Sequence, residues 1–133
     1  MKTFNEQLIE NYLVEYYELQ DCLVRRQVSF SGKRIDLVTR KRNGSKIWAI
    51  EIKISDWKTA IRQASLNMLA ADYCFVALWY KTAGGALKNM EYFEKLGIGL
   101  FIINENFIPE LKVRPGINNK INTIAYKNIC EKL

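Results

Sequence analysis

Asn43-Gly44 stands between two segments that each read as a strand, Arg34-Ile35-Asp36-Leu37-Val38 before it and Ile47-Trp48-Ala49-Ile50-Glu51-Ile52-Lys53-Ile54 after it. Asn-Gly favours the backbone of a tight hairpin turn, so the pair predicts two antiparallel neighbours in one sheet. A hairpin there lays the strands side by side, and one Asp, one Glu and one Lys then converge at a sheet end. Two carboxylates and an ammonium in that place suit a divalent ion and an activated water better than they suit a core.

The remainder of the chain can be organised around this hairpin. Phe4 to Leu19 has apolar residues at three- and four-residue steps and is predicted helical, with Asn5 or Thr3 as its cap. From Cys22 to Phe30 the period becomes two, placing Val24, Val28 and Phe30 on a face with Arg26. Ser31-Gly32 then turns the chain into a strand from Lys33 to Arg40 that holds Asp36. The third strand is read as Lys46 to Ile54, and Ser55-Asp56 opens a helix to about Ala71. Tyr73 to Tyr80 is nearly continuous apolar sequence, the mark of a strand buried on both faces. A short helix follows from Ala86 to Leu96, and Leu100 to Ile103 reads as a last strand. Pro109 and Pro115-Gly116 mark a loop, and Ile121, Ile124, Ala125 and Ile129 a C-terminal helix. The order α-β-β-β-α-β-α-β-α predicts an α/β fold with a mixed central sheet flanked by helices. One domain over residues 1–133 is expected, with a core over about 4–103 and a C-terminal extension over about 104–133.

Composition narrows the chemistry. No histidine occurs among the 133 residues, which removes Ser-His and Cys-His nucleophilic pairs, the zinc protease and deaminase patterns, and any imidazole proton shuttle. Twenty Lys and Arg against fourteen Asp and Glu give a net charge of +6, favouring a polyanionic partner. Cys22, Cys74 and Cys130 are odd in number and far apart, and read as buried reduced thiols. No apolar run approaches the ~18 residues of a membrane-spanning helix. The first residues hold no apolar signal core, so a cytoplasmic protein is expected. Gly84-Gly85 belongs to neither phosphate-loop pattern.

Strand alternation puts Glu51 and Lys53 on one face of the third strand, about 7 Å apart along it. Read plainly, they form a weak surface pair on a solvated face. Ile47 and Ala49 share that face, however, which argues that it is covered. Asp36 lies among Ile35, Leu37 and Val38, and its plain reading is a salt bridge to Arg34.

Taken together, these residues resemble the PD-(D/E)XK nuclease superfamily, the restriction-endonuclease-like fold that includes Holliday junction resolvases. The family core of helix, three antiparallel strands, helix and further strand matches the order from Phe4 to Tyr80, about two thirds of the chain. Asp36 stands at the family's first acid and Glu51-Ile52-Lys53 at its (D/E)-x-K, while Ile35 replaces the proline that names the motif. The resemblance implies a nuclease dependent on Mg²⁺ or Mn²⁺ that hydrolyses phosphodiester bonds of DNA, branched or foreign DNA included. Asp36, Glu51 and the Ile52 carbonyl would hold the ion, and Lys53 would orient or deprotonate the attacking water. It also implies an acid on the first helix, where Glu10 is preferred to Glu6, and a glutamine after the Lys strand, matched by Gln63. Asn67 stands where one subfamily has a tyrosine.

Lys33, Arg34, Arg40, Lys41, Arg42, Lys58 and Arg62 lie in or beside these elements and are the candidate DNA contacts, although Arg40-Lys41-Arg42 also reads as a solvated turn. Trp57 either packs as core or stacks on a base. The same residues admit an inactive nucleic-acid-binding module on this fold, or a structural protein with a buried ion pair. A symmetric homodimer formed through the helix from about Ile121 would present two sites to a duplex.

Overall fold

The structure, a computed structural model, describes residues 5–133. Helix α1 spans Glu6–Glu18, and the Asn5 side chain caps it by accepting from the Leu8 N–H at 3.1 Å. Thr3, the other candidate cap, and Phe4 lie outside the described residues. Strands β1 (Cys22–Phe30) and β2 (Lys33–Lys41) form a hairpin closed by Ser31 and Gly32, whose φ angles of 50° and 76° are the positive values a type I′ turn requires.

Strand β3 (Trp48–Ile52) pairs antiparallel with β2 in the register Leu37–Ile50, Val38–Ala49 and Thr39–Trp48, which is centred on Asn43-Gly44 as the sequence predicts. The turn itself differs from the expectation. Neither Asn43 nor Gly44 takes a positive φ; the chain reverses where the Gly44 N–H donates to the Lys41 carbonyl at 2.9 Å. Strand β3 is also shorter than Lys46–Ile54. The Ile47 N–H is given to the Asp72 carboxylate at 2.7 Å, and the Arg40 guanidinium is bonded to the carbonyls of Lys41, Arg42 and Gly44, so the loop stays off the ladder.

Helix α2 (Trp57–Asn67) is capped by Asp56, which accepts from the Thr59 N–H. It leads to β4 (Tyr73–Trp79), a 3₁₀ turn, and two short helices, α3 (Gly84–Leu87) and α4 (Met90–Leu96). The sequence reads these as one helix. Asn89 breaks it: its backbone is not helical and its amide donates to the Gly85 carbonyl at 2.7 Å. Strand β5 (Gly99–Ile103) is not the last. Strand β6 (Pro109–Val113) pairs antiparallel with it, and Pro109 is tolerated because this is an edge strand that can spare a donor. Helix α5 (Thr123–Cys130) follows.

The sheet has six strands in the order β1-β2-β3-β4-β5-β6, with β3–β4 and β4–β5 parallel and the other pairs antiparallel. Each face carries its own core. Ile9, Leu13 and Tyr17 of α1 pack on Leu37, Ile50, Ile52, Phe75 and Phe101. On the other face Ala60, Ile61 and Ala64 of α2, Phe93 of α4 and Ile129 of α5 pack on Val38, Ala49, Val76 and Leu100. Trp57 joins this second core, with rings of Tyr92 and Phe93 about it. The buried run of β4 supplies Phe75 and Ala77 to one core and Cys74, Val76 and Leu78 to the other, which is why it lacks polar alternation.

One face assignment is corrected. Val24 packs in the α1 core, but Val28 and Phe30 pack in the opposite one. The change falls at Gln27, a non-glycine residue at φ 52°, and is matched on β2 between Ile35 and Leu37. Both strands therefore exchange faces at the level of Gln27 and Asp36. Cys22 and Cys74 are buried as expected, whereas Cys130 is exposed. Among the described residues no helix is long and apolar enough to cross a membrane.

Candidate active site

The exchange of faces opens a cavity of about 220 Å³ at the C-terminal end of β3, beneath the first turns of α1. Asp36, Glu51, Ile52 and Lys53 line it from the sheet, Glu6 and Glu10 from α1, and Gln63 from α2. The backbone delivers the two central carboxylates. Asp36 Oδ2 accepts the Ile52 N–H at 2.8 Å, so the side chain substitutes for a ladder bond and is fixed against β3. Glu51, only 3% exposed, points toward α2, where its Oε1 accepts from the Asn67 amide at 2.8 Å.

Neither carboxylate has an ion pair among the described residues. Burial first, and then the neighbouring charge of Asp36, push the Glu51 carboxyl up to about 8; the Asn67 hydrogen bond and the Lys53 charge oppose this without cancelling it. The Lys53 ammonium has Glu6 Oε1 at 3.8 Å. Gln63 Oε1 is buried in the cavity region with no hydrogen-bond partner.

The acid of α1 is committed elsewhere. Glu10, 6% exposed, accepts from Arg26 at 2.9 Å, from Gln7 at 3.0 Å and from Gln27 at 3.1 Å. Gln27 also reaches Asp36 Oδ1 at 3.5 Å, so Glu10 faces the pair through an amide. Among the described residues no three Asp, Glu or Cys side chains form a ready metal cage. The donors at hand are nevertheless oxygens, as a hard cation needs, and a small ion of this kind takes only one or two carboxylates from protein.

The structure separates the candidate basic residues. Arg34 lines the cavity, and Lys33 stands exposed one residue before it. Lys58 and Arg62 are exposed on α2, the helix that carries Gln63; Lys58 lies over the Trp57 ring and Arg62 bonds Thr59. Arg40, Lys41 and Arg42 are not brought to the cavity. Arg40 and Lys41 lie four and five residues along β2 from Asp36, about 13–17 Å away at strand spacing, and Arg42 follows in the turn; Arg40 holds that turn and Arg42 is paired to Asp21 at 2.9 Å.

The solved structures offer a relative for the fold. A protein of unknown function from Silicibacter pomeroyi, SPO1766, is similar over 99% of this chain and 85% of its own, with a TM-score of 0.70 and 19% identity. The fold is shared. The structure of Pyrococcus furiosus SfsA in complex with Ca²⁺ is similar over 88% of this chain and 62% of its own, at 12% identity and a TM-score of 0.41, too slight a likeness to argue from. No protein-family model and no curated protein matches the chain.

Two site residues escape the sequence reading. Asn67 was readable as the residue one helical turn beyond Gln63, hence on the same face. Gln27 was readable from the Ser31-Gly32 turn, because a two-residue hairpin closed there places position 27 opposite 36. Its positive φ carries no sequence signal, since left-handed backbone is unusual for glutamine.

Proposed function

We propose that this chain is a metal-dependent phosphodiesterase acting on DNA, built on a restriction-endonuclease-like core. The observation that carries the reading is the pair Asp36 and Glu51, set side by side at the end of one hairpin, in a polar cavity, with no ion pair to either among the described residues. A structural ion pair would place Arg34 or Lys53 against them, and neither pairs there. Two carboxyls set this close, one of them held protonated by burial and by its neighbour's charge, point to a cation that would let both ionise.

Asp36, Glu51 and the carbonyl of Ile52 would hold Mg²⁺ or Mn²⁺. Bound there, the cation supplies Lewis acidity and lowers the pKa of a coordinated water. The chain's own residues divide the remaining work. Ile52 and Asn67 each occupy one oxygen of a carboxylate; Asp36 Oδ1, which Gln27 reaches only at 3.5 Å, and Glu51 Oε2 would face the ligand. Lys53 stabilises negative charge on the scissile phosphate and orients the attacking water. Gln63 Oε1 accepts a hydrogen bond from that water, which answers its lack of a partner. Lys33, Arg34, Lys58 and Arg62 supply phosphate contacts that position a strand without reading its sequence.

The test is cleavage of plasmid and branched DNA by the purified chain in Mn²⁺ or Mg²⁺. Cleavage that EDTA and Asp36→Asn both abolish supports the reading. DNA binding without cleavage in either metal assigns the chain instead to a non-catalytic binding module on this fold.

A further inference from the structure

Helix α1 does not cover its face of the sheet throughout. Past its last turn, the N-terminal ends of β3 and β4 form a cleft of about 410 Å³, within the size range of small-molecule sites. Its surface is made of rings. Trp48 and Tyr73, partners across β3 and β4, have centroids 6.4 Å apart; Phe75 and Phe101 lie 5.1 Å apart; Tyr16 and Tyr17 close it from the helix. The floor depends on a glycine, because a Cβ on Gly99 would stand 2.5 Å from the Phe75 ring and push it out of place.

Two polar features show that this is more than exposed core. Tyr17 lines the cleft, and no described residue hydrogen-bonds its hydroxyl. Arg114 is the one charged residue among those lining the cleft, and it makes no ion pair or hydrogen bond among the described residues. Ring faces call for a flat aromatic group, an unpaired hydroxyl for a hydrogen-bonding edge, and an unpaired guanidinium for an anion.

We propose that the cleft binds a nucleobase carrying a phosphate, with its ring on Trp48 and Tyr73, its edge on Tyr17 and its phosphate on Arg114. Two sources share this chemistry, a free mononucleotide and an unpaired nucleotide of a strand. The cleft lies at the other end of β3 from the carboxylate pair, so the proposal does not rest on the nuclease reading.

The test titrates the full chain, in EDTA to silence any metal site, with deoxyadenosine monophosphate and with an oligothymidylate pentamer. Calorimetry should show saturable binding, accompanied by tryptophan quenching. Arg114→Ala, at an exposed position, should weaken both probes about tenfold or more. Trp48→Phe should keep the heat of binding but lose the quenching. Tighter binding of the pentamer than of the mononucleotide identifies a strand as the source, and equal binding a free nucleotide. The proposal is overturned by absence of saturable binding of either probe into the millimolar range, by unchanged affinity in Arg114→Ala, or by quenching that survives Trp48→Phe.

Discussion

Replacing Glu51 by glutamine should make the metal-free protein more stable, by an amount that depends on pH in a defined way. The native state holds the Glu51 carboxyl up to about 8, against 4.5 for an unperturbed one. Between those values the folded chain keeps a proton that the unfolded chain has released. Stability must therefore fall as pH rises through this window and level off above it. The slope is at most about 1.4 kcal/mol per pH unit, and from pH 5 to 8 the loss accumulates to roughly 4 kcal/mol, a large part of the ~5–15 kcal/mol that holds a domain together. The other groups whose ionisation the fold displaces move out of this window. The chain has no histidine, Asp56 and Glu110 are shifted downward, and burial moves Tyr17 and Cys74 upward, out of range. Glutamine keeps the oxygen that Asn67 bonds but cannot ionise. Urea unfolding in EDTA at steps from pH 5 to 8 should show a falling midpoint for the unmutated chain and a nearly flat one for Glu51→Gln. The two should be close at pH 5 and differ in melting temperature by on the order of 10 °C at pH 8. An unmutated chain whose stability is constant or rises over this range would refute the reasoning, as would a Gln variant that keeps the slope.

Four further outcomes follow from the site and its supports. Saturating Mn²⁺ should raise the melting temperature of the unmutated chain, with about 2.7 kcal/mol expected at a hundredfold excess over the dissociation constant, and Asp36→Asn should remove that response in differential scanning fluorimetry. Lys53→Ala should keep the Mn²⁺ stabilisation while losing plasmid cleavage. Arg62→Ala should weaken DNA binding and reduce its salt slope by about one, whereas Arg42→Ala, at the far end of β2, should leave both unchanged in a fluorescence titration. Tyr126→Phe removes a hydroxyl that bonds the Asp72 carboxylate and the Ser45 carbonyl, and chemical denaturation should report a loss of about 1–2 kcal/mol.

Hydrophobic period and turn chemistry made most of the fold legible. The apolar steps of α1 and α2, the continuous run of β4 and the register centred on Asn43-Gly44 all follow from local residues. What stayed hidden depends on partners distant in sequence. Pro109 reads as a loop residue unless its place at a sheet edge is known. The short β3 results from Asp72 capturing the Ile47 N–H from 25 positions away. Alternation misplaced Val28 because a period of two assumes regular strand backbone, and Gln27 departs from it. At the site, the convergence of Asp36 and Glu51 was readable because one hairpin contains both. The commitment of Glu10 to Arg26 was not, since helical position alone cannot show which strand residue crosses beneath it.

The bonds that assemble the carboxylate site also have a consequence for how the chain finds its fold. Ile52 to Asp36, Asn67 to Glu51 and Arg26 to Glu10 each span 16 residues, and Gln27 to Asp36 spans 9. The C-terminal clasp is different: Tyr126 reaches back 54 residues to Asp72 and 81 to Ser45, and Lys132 reaches back 103 to Ser29. Closing a loop of 103 residues costs about 1.7 kcal/mol more entropy than closing one of 16. Short loops thus bring the two carboxylates together at lower entropic cost than the distant segment that locks the hairpin beneath them. Above about pH 8, where the Glu51 carboxyl is ionised, the repulsion therefore bears on the contacts of lowest closing cost and not on the distant clasp.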